Sequence, residues 1–339
     1  MREGPLRFNF YGVTLRVDCG RSDIRVQIKR DFRHFLIENI HEISEAVRLE
    51  LRCDPPPLER IPSSTPLWSD PLYSVHDDGQ ERWVNYNGQA LCHYDFSGEA
   101  GTLWCPDPAL MHELAYLLIH SRIGEMLDKK GLHRVHALGF SYRNKGVLVL
   151  APMGGGKTTL GMELLRYPGV NIFSDDSPLA DADGNLYPFP LRFGVLPSEE
   201  SLQRIPDDFK RTFHRRLYGR KILVDYEYFK EKISAPCKIH AIFTLEKNGS
   251  SSHIRAAGAF RPFFALFSSL VVGYGVPQIR EYFLRANPKD MAQTVRIGFK
   301  RLKTARSLLE KARCYRLLFG PETESNGGKL LRFLETQHG

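Results

Sequence analysis

Apolar residues alternate with polar ones early in the chain, at Val13, Leu15 and Val17 and again at Ile24, Val26 and Ile28. A period of two predicts strands with one buried face at both places. Cys53-Asp54-Pro55-Pro56-Pro57 breaks that pattern. Short aromatic-bearing strands follow, with Asn87-Gly88 as a hairpin turn between residues 83–86 and 90–94. At Asp107-Pro108 the period changes. An N-cap carboxylate and a helix-starting proline precede Leu110, Leu114, Leu117, Leu118 and Met126, and Lys129-Lys130-Gly131 closes the stretch. The spacing predicts one helix over residues 107–131 joining two halves, with a β-rich domain over 1–106.

The second half alternates strands and helices. A strand near His136 to Ser141 and a tight turn at Arg143-Asn144-Lys145-Gly146 lead into the apolar run Val147 to Leu150. A helix is expected over 158–166, ended by Tyr167-Pro168-Gly169, then a strand over 170–173 running into Ser174-Asp175-Asp176. Asp183-Gly184 reads as a hairpin turn and residues 198–235 as a mixed segment. Ile239 to Leu245 reads as a strand, 260–272 and 288–313 as helices, 314–319 as a last strand and 329–334 as a terminal helix. Phe260, Phe263, Phe264 and Phe267 have helical spacing and are expected in the core. The fold class is α/β (α+β overall), with a catalytic domain over 132–320 and a tail over 321–339.

Composition adds limits. The chain has no low-complexity tract, and its longest uncharged run, Pro262 to Ile279, is too broken by Ser, Gly and Pro277 to read as a membrane span. Six scattered cysteines without a Cys-x-x-Cys pair favour reduced thiols, and Cys92-His93 with Cys105 lacks a fourth zinc ligand. A cytoplasmic protein is expected, with no membrane partner. The net charge of +8 is spread, apart from Lys210-Arg211, Arg215-Arg216 and Arg220-Lys221. With no recognition motif beside them, these cations are read as attracting nucleotide or an acidic partner rather than nucleic acid.

The chemistry sits between Gly146 and Thr159. A buried strand, three glycines and Lys-Thr opening a helix form the arrangement that cradles nucleotide phosphates, a P-loop or Walker A element. Glycines let backbone N–H groups close round an anion, and the helix start adds its dipole. Met153, Gly154, Gly155, Gly156, Lys157, Thr158 and Thr159 are the candidate ATP-binding residues. Lys157 would meet the β- and γ-phosphates and Thr158 would ligate Mg²⁺. The usual first glycine is Ala151 here. Eighteen residues beyond Lys157 stand Asp175 and Asp176. A helix of about ten residues rises roughly 15 Å, so the returning strand would bring both carboxylates to the loop. One would serve the metal and the other accept the proton of an attacking hydroxyl. Asp175 is expected as base and Asp176 as metal ligand, with the reverse left open. Arg192 and Lys221 are candidate clamps on the phosphoryl group.

His136-Ala137, Gly146-Val147-Leu148, Met153 to Thr158 and Ser174-Asp175-Asp176 resemble the catalytic core of the HPr kinase/phosphorylase family, whose general fold is shared with phosphoenolpyruvate carboxykinase. The resemblance covers roughly residues 133–195. It implies roles in ATP and Mg²⁺ binding for Lys157 and Thr158, base and metal duty for Asp175 and Asp176, and a place near the reaction centre for His136. Read from the residues alone, His136 is equally a strand-end histidine. Thr159 stands where the family has Glu, and Tyr187 to Arg192 stands where a Glu-x-Arg-Gly signature would follow. The resemblance therefore does not extend to HPr as substrate or to reverse phosphorolysis. It implies a kinase acting on a Ser or Thr hydroxyl of a protein or peptide. A small-molecule kinase and a nucleotide-sensing ATPase or binding module are the alternatives, and self-assembly is left open.

Overall fold

The computed structural model describes residues 4–38, 44–152, 154–215, 219–247, 252–258, 260–273, 281–282, 285, 287–320 and 323–337. Met153, one of the candidate loop residues, lies outside them. The protein is a strand-rich mixed α/β chain with several sheets. It divides into two compact units, Met1–Leu127 with His214–Tyr218 and Pro277–Met291, and Asp128–Phe213 with Gly219–Val276 and Ala292–Gly339.

The first unit is built on eight strands: β1 (Leu6–Phe10), β2 (Val13–Cys19), β3 (Val47–Arg52), β4 (Trp68–Ser69), β5 (Ser74–Asp78), β6 (Glu81–Asn85), β7 (Leu91–Asp95) and β8 (Ala100–Trp104). They form one sheet in the order β1-β2-β3-β8-β7-β6-β5-β4, with β2, β3 and β8 parallel and the rest antiparallel. Asn87 and Gly88 both have positive φ, as the two-residue turn between β6 and β7 requires.

The stretch Ser22–Asp31 is a helix, α1, not the strand its alternation predicts. Ile24 and Ile28 are fully buried while Val26 is half exposed. Ile24 and Ile28 are four residues apart and share a helix face as readily as a strand face, so only Val26 tells the two apart. Asp23 accepts the Ile24 N–H in the first turn, and Lys29 and Arg30 occupy the last. The crossover between parallel β2 and β3 also needs such an element. Helix α2 (Pro108–Lys130) starts where Asp107 accepts N–H bonds from Ala109 and Leu110, and α1 is fastened to it by the buried His112–Asp31 bond of 2.6 Å.

The second unit contains β9 (His133–Arg134), β10 (Ala137–Tyr142), β11 (Lys145–Leu150), α3 (Lys157–Leu164), β12 (Val170–Ser174), β13 (Leu179–Ala180), β14 (Asn185–Tyr187), β15 (Phe193–Val195), β16 (Lys210–Arg215), β17 (Gly219–Val224), α4 (Tyr226–Phe229), β18 (Cys237–Lys247), β19 (His253–Ala256), α5 (Phe260–Leu266) continued by a π-helical stretch Phe267–Val272, α6 (Pro288–Lys311), β20 (Arg313–Phe319) and α7 (Thr323–Thr336). Among the described residues nine strands form the main sheet. Within it β11, β18 and β20 run parallel, while β10 is antiparallel to both β11 and β12. The mixed segment after 198 resolves into β16 and β17, which join β15 in a separate small sheet.

Strand β11 shows why its sequence is an unbroken apolar run. Val147 and Val149 pack with Leu160 and Leu164 of α3 and Leu330 and Leu334 of α7. Leu148 and Leu150 pack on the other face with Leu266, Leu270, Ala305 and Leu308 of the α5 and α6 region. Both faces are covered, so alternation has no reason to appear. The expected burial of the phenylalanines of α5 is corrected here. Phe260, Phe263, Phe264 and Phe267 are all exposed, Phe260 by 77%, because Pro262, Leu266 and Leu270 take the inward face.

Candidate functional site

Strand β11 ends at Leu150, and the chain turns through Ala151-Pro152 and the three glycines into α3. Gly154 and Gly156 have φ of 73° and 98°, a region that favours glycine, and Gly156 is the N-cap of α3. The middle glycine is held by space instead. A Cβ on Gly155 would lie 2.9 Å from both the Ala151 Cβ and the Pro152 carbonyl oxygen. The Gly155 N–H donates to that carbonyl across 3.0 Å. Ala151 can replace the first glycine because Gly155 makes room for its methyl group. Around Gly154 there is open space.

Lys157 opens α3 and is buried, 7% exposed. Its ammonium donates to the Ala151 carbonyl at 2.6 Å and stands 3.3 Å from Nε2 of His136. Burial lowers its pKa against the pull of Asp175 and Asp176. His136 is held from behind by a 3.1 Å bond from its backbone N–H to the Ser269 carbonyl. Burial, then the Lys157 charge, lowers the imidazole pKa, which favours the neutral ring. His133, three residues earlier, has its Nδ1 bonded to buried Asp128 at 2.7 Å.

The register of β10 and β12 pairs Gly139 with Ser174, so β12 finishes beside the strand that precedes the loop. A Cβ at Gly139 would strike Pro178 at 2.7 Å, so glycine permits this close approach. Asp175 follows and is buried. Thr158 donates its hydroxyl to Oδ2 of Asp175 across 3.0 Å, and Oδ1 is buried with no hydrogen-bond partner. Burial, reinforced by Asp176, pushes the Asp175 pKa up to about 7. Asp176 is exposed and accepts from the Ser177 hydroxyl at 2.9 Å.

Lys157, Thr158, Asp175 and His136 therefore meet at the end of one sheet, with Asp176 at their solvent side. Lys221 of β17 lies near enough for its charge to act on Asp175 and Lys157. Arg192 lies with its guanidinium 4.9 Å from the centre of the Phe213 ring. Thr159 donates to Glu199 at 3.1 Å. Nothing in the sequence flags Glu199, which stands forty residues beyond the threonine. Among the described residues no three His, Cys, Asp or Glu side chains gather into a metal cage, and no helix is long and apolar enough to cross a membrane. A cation here would have the Thr158 hydroxyl and the unbonded Asp175 oxygen as its protein donors. Hard oxygen donors of this kind suit Mg²⁺.

No protein-family profile and no curated protein matches the sequence. Among solved structures, the Hpr(Ser) kinase/phosphatase from Coxiella burnetii aligns at a TM-score of 0.29 and 9% identity, over 61% of this chain and 99% of that one.

Proposed function

We propose that this chain is an ATP-dependent phosphotransferase that moves the γ-phosphoryl group to a hydroxyl, with residues 132–320 as its catalytic domain. The observation that carries the reading is the Thr158–Asp175 bond. It joins the first turn of the helix after a glycine loop to a buried carboxylate with one oxygen unspent. A buried carboxylate with only a structural role would spend both oxygens on the protein.

The roles follow from burial. The loop N–H groups and the start of α3 would receive the phosphates, and Lys157 would trade its carbonyl contacts for phosphate oxygens. Magnesium, held by Thr158 and Asp175, would neutralise phosphate charge. An acceptor hydroxyl reaches an exposed carboxylate more readily than a buried one, so within the pair Asp176 is the better base and Asp175 the better metal ligand. This reverses the division expected from sequence. Asp176 would take the hydroxyl proton as the oxygen attacks phosphorus and ADP leaves. His136, neutral and beside Lys157, would keep the ammonium aimed at the loop. Catalysis of this kind is mostly positioning and charge neutralisation.

The acceptor is proposed to be a Ser or Thr hydroxyl of a protein or peptide. Incubation with γ-labelled ATP, Mg²⁺ and proteins encoded beside this one should place label on a polypeptide. Label on a metabolite would select the small-molecule kinase, and free phosphate alone would select the nucleotide-sensing ATPase. Unchanged transfer in both Lys157→Ala and Asp176→Asn would overturn the mechanism.

A further inference from the structure

The second unit carries an apolar face that its own core does not use. Phe260, Phe263, Phe264 and Phe267 follow one another at helical spacing along the outside of α5 and its π-helical continuation. Their rings pack on each other, with Phe260 and Phe264 centroids 4.6 Å apart and Phe263 and Phe264 5.5 Å apart. Yet they remain exposed by 77%, 39%, 52% and 38% in sequence order. On α6 the outward residues Val295, Phe299 and Leu302 repeat the pattern, Phe299 at 68% exposure, while Ile297, Ala305 and Leu308 point to the core. The two helices belong to one surface. Leu266, Leu270, Ala305 and Leu308 share one core cluster, and the Arg301 guanidinium donates to the Val271 carbonyl. A cluster of aromatic rings left in water on α5, with the exposed apolar row of α6, marks an interaction surface rather than scattered surface apolars.

Charge narrows the partner. From Ala292 to Leu309, α6 has five cations and no acid. Arg301 turns inward to Asp128, Arg306 is bridged to Glu310, and the Lys300 ammonium donates to the Lys129 carbonyl. Arg296 and Lys303, which flank the apolar stripe, have no carboxylate partner among the described residues. A complementary surface is therefore apolar along its centre and acidic at its border.

Position selects the kind of partner. Arg261, near the start of α5, is paired with Glu246, and β18 reaches Glu246 two residues after Thr244, which stands opposite Leu150 at the mouth of the glycine loop. At its far end the same helical stretch gives the Ser269 carbonyl to the His136 N–H. Helix α5 thus runs beside the candidate site along the loop edge of the sheet, with the aromatic stripe on its outer side. Whatever covers that outer side lies about one helix diameter from the site, within reach for a phosphoacceptor protein and not a requirement for a bilayer. We propose that this face docks the phosphoacceptor, a protein presenting an amphipathic segment with apolar residues at helical spacing and carboxylates along the rim. The word acceptor rests on the kinase reading; the docking does not.

The test separates the two. A displayed library of random sixteen-residue peptides, each with one fixed serine, is selected on the full chain. Enriched peptides are expected to be apolar at three- and four-residue intervals and rich in Asp and Glu. Their affinity should fall at least about tenfold for Phe264→Glu and for Phe299→Glu, a loss typical of interface anchors. Lys303→Glu should weaken binding and flatten its salt dependence. All three positions are exposed, so an unchanged melting curve and unchanged nucleotide binding are expected and exclude misfolding. Selected peptides that bind but take no label from ATP would uphold the docking and count against phosphotransfer. The proposal is overturned if no peptides enrich, or if those that do lack carboxylates or ignore the variants. It is also overturned if the face serves another occupant instead. That result would be variant-sensitive sedimentation with phosphatidylglycerol vesicles, or a concentration-dependent dimer abolished by Phe299→Glu.

Discussion

The Thr158 hydroxyl and the Asp175 carboxylate meet at 3.0 Å although seventeen residues separate them. One stands in the first turn after the glycine loop and the other just past the strand that returns beside β10. The pair forms only if α3 is short and β12 keeps its register with Gly139. The site therefore depends on packing that no single motif encodes.

Removing each carboxylate separates the proposed roles. Asp176→Asn should lower the transfer rate about 10²- to 10⁴-fold, the range for loss of a general base, with nucleotide affinity kept. Asp175→Asn should also stop transfer, and in addition raise the Mg²⁺ concentration needed for nucleotide binding. Titrating both variants with a fluorescent ATP analogue at several Mg²⁺ levels distinguishes them. Equal Mg²⁺ dependence would refute the division of labour.

Asp175 also makes a prediction about stability. A carboxyl whose pKa is raised by folding keeps its proton in the folded chain where the unfolded chain has lost it. Its contribution is intact below the unfolded value near 4 and is lost as pH rises through about 7. With chelator present, Asp175→Asn should melt higher than the parent at about pH 8 and equally at about pH 4. Raising the carboxyl to about 7 sets an upper bound of roughly 4 kcal/mol on the gain. A variant less stable at both pH values would show that the carboxylate is structural.

Asp128 has the opposite sign. Burial alone would raise its pKa, but the Arg301 charge and bonds from His133 and Arg301 outweigh burial and hold it below the ordinary value. That contribution is present above the unfolded pKa and is lost as acid passes the folded one. Arg301→Met leaves the carboxylate buried with His133 alone and should cost about 3–5 kcal/mol at neutral pH. The loss should shrink as pH falls below about 4. Urea unfolding of parent and variant across that range is the check.

The loop's tolerance of Ala151 depends on Gly155. Gly155→Ala puts a methyl group 2.9 Å from both Ala151 and the Pro152 carbonyl. It should cost about 1–3 kcal/mol by overpacking and weaken nucleotide binding. Adding Ala151→Gly should restore part of both losses, measured by thermal shift with and without ATP. No rescue would mean the crowding lies at the carbonyl and not at the alanine.

Lys157→Ala should weaken nucleotide affinity by about tenfold or more, since it removes a buried charge from the loop. Isothermal titration reads the change directly.

The local part of the fold was legible because local chemistry specifies it. Asp107-Pro108 starts α2, Asn87-Gly88 turns a hairpin, and the glycines with Lys-Thr make a strand-to-helix turn whatever surrounds them. Alternation failed at Ile24, Val26 and Ile28, where Ile24 and Ile28 fit either period and the crossover between parallel strands chose the helix. Helical spacing at Phe260 to Phe267 identified the element and not its inward face. A helix with apolar residues on two sides offers both to the core, and the neighbours that fill one side are far away in sequence. The same holds at the site. Residue type and spacing picked out Lys157, Thr158 and the two aspartates as candidates, because these are the groups that suit a phosphate site. Which carboxylate is buried, that Glu199 holds Thr159, and that Lys221 comes near were settled by strand register and sheet packing. These are long-range contacts, and a one-dimensional pattern carries no record of them.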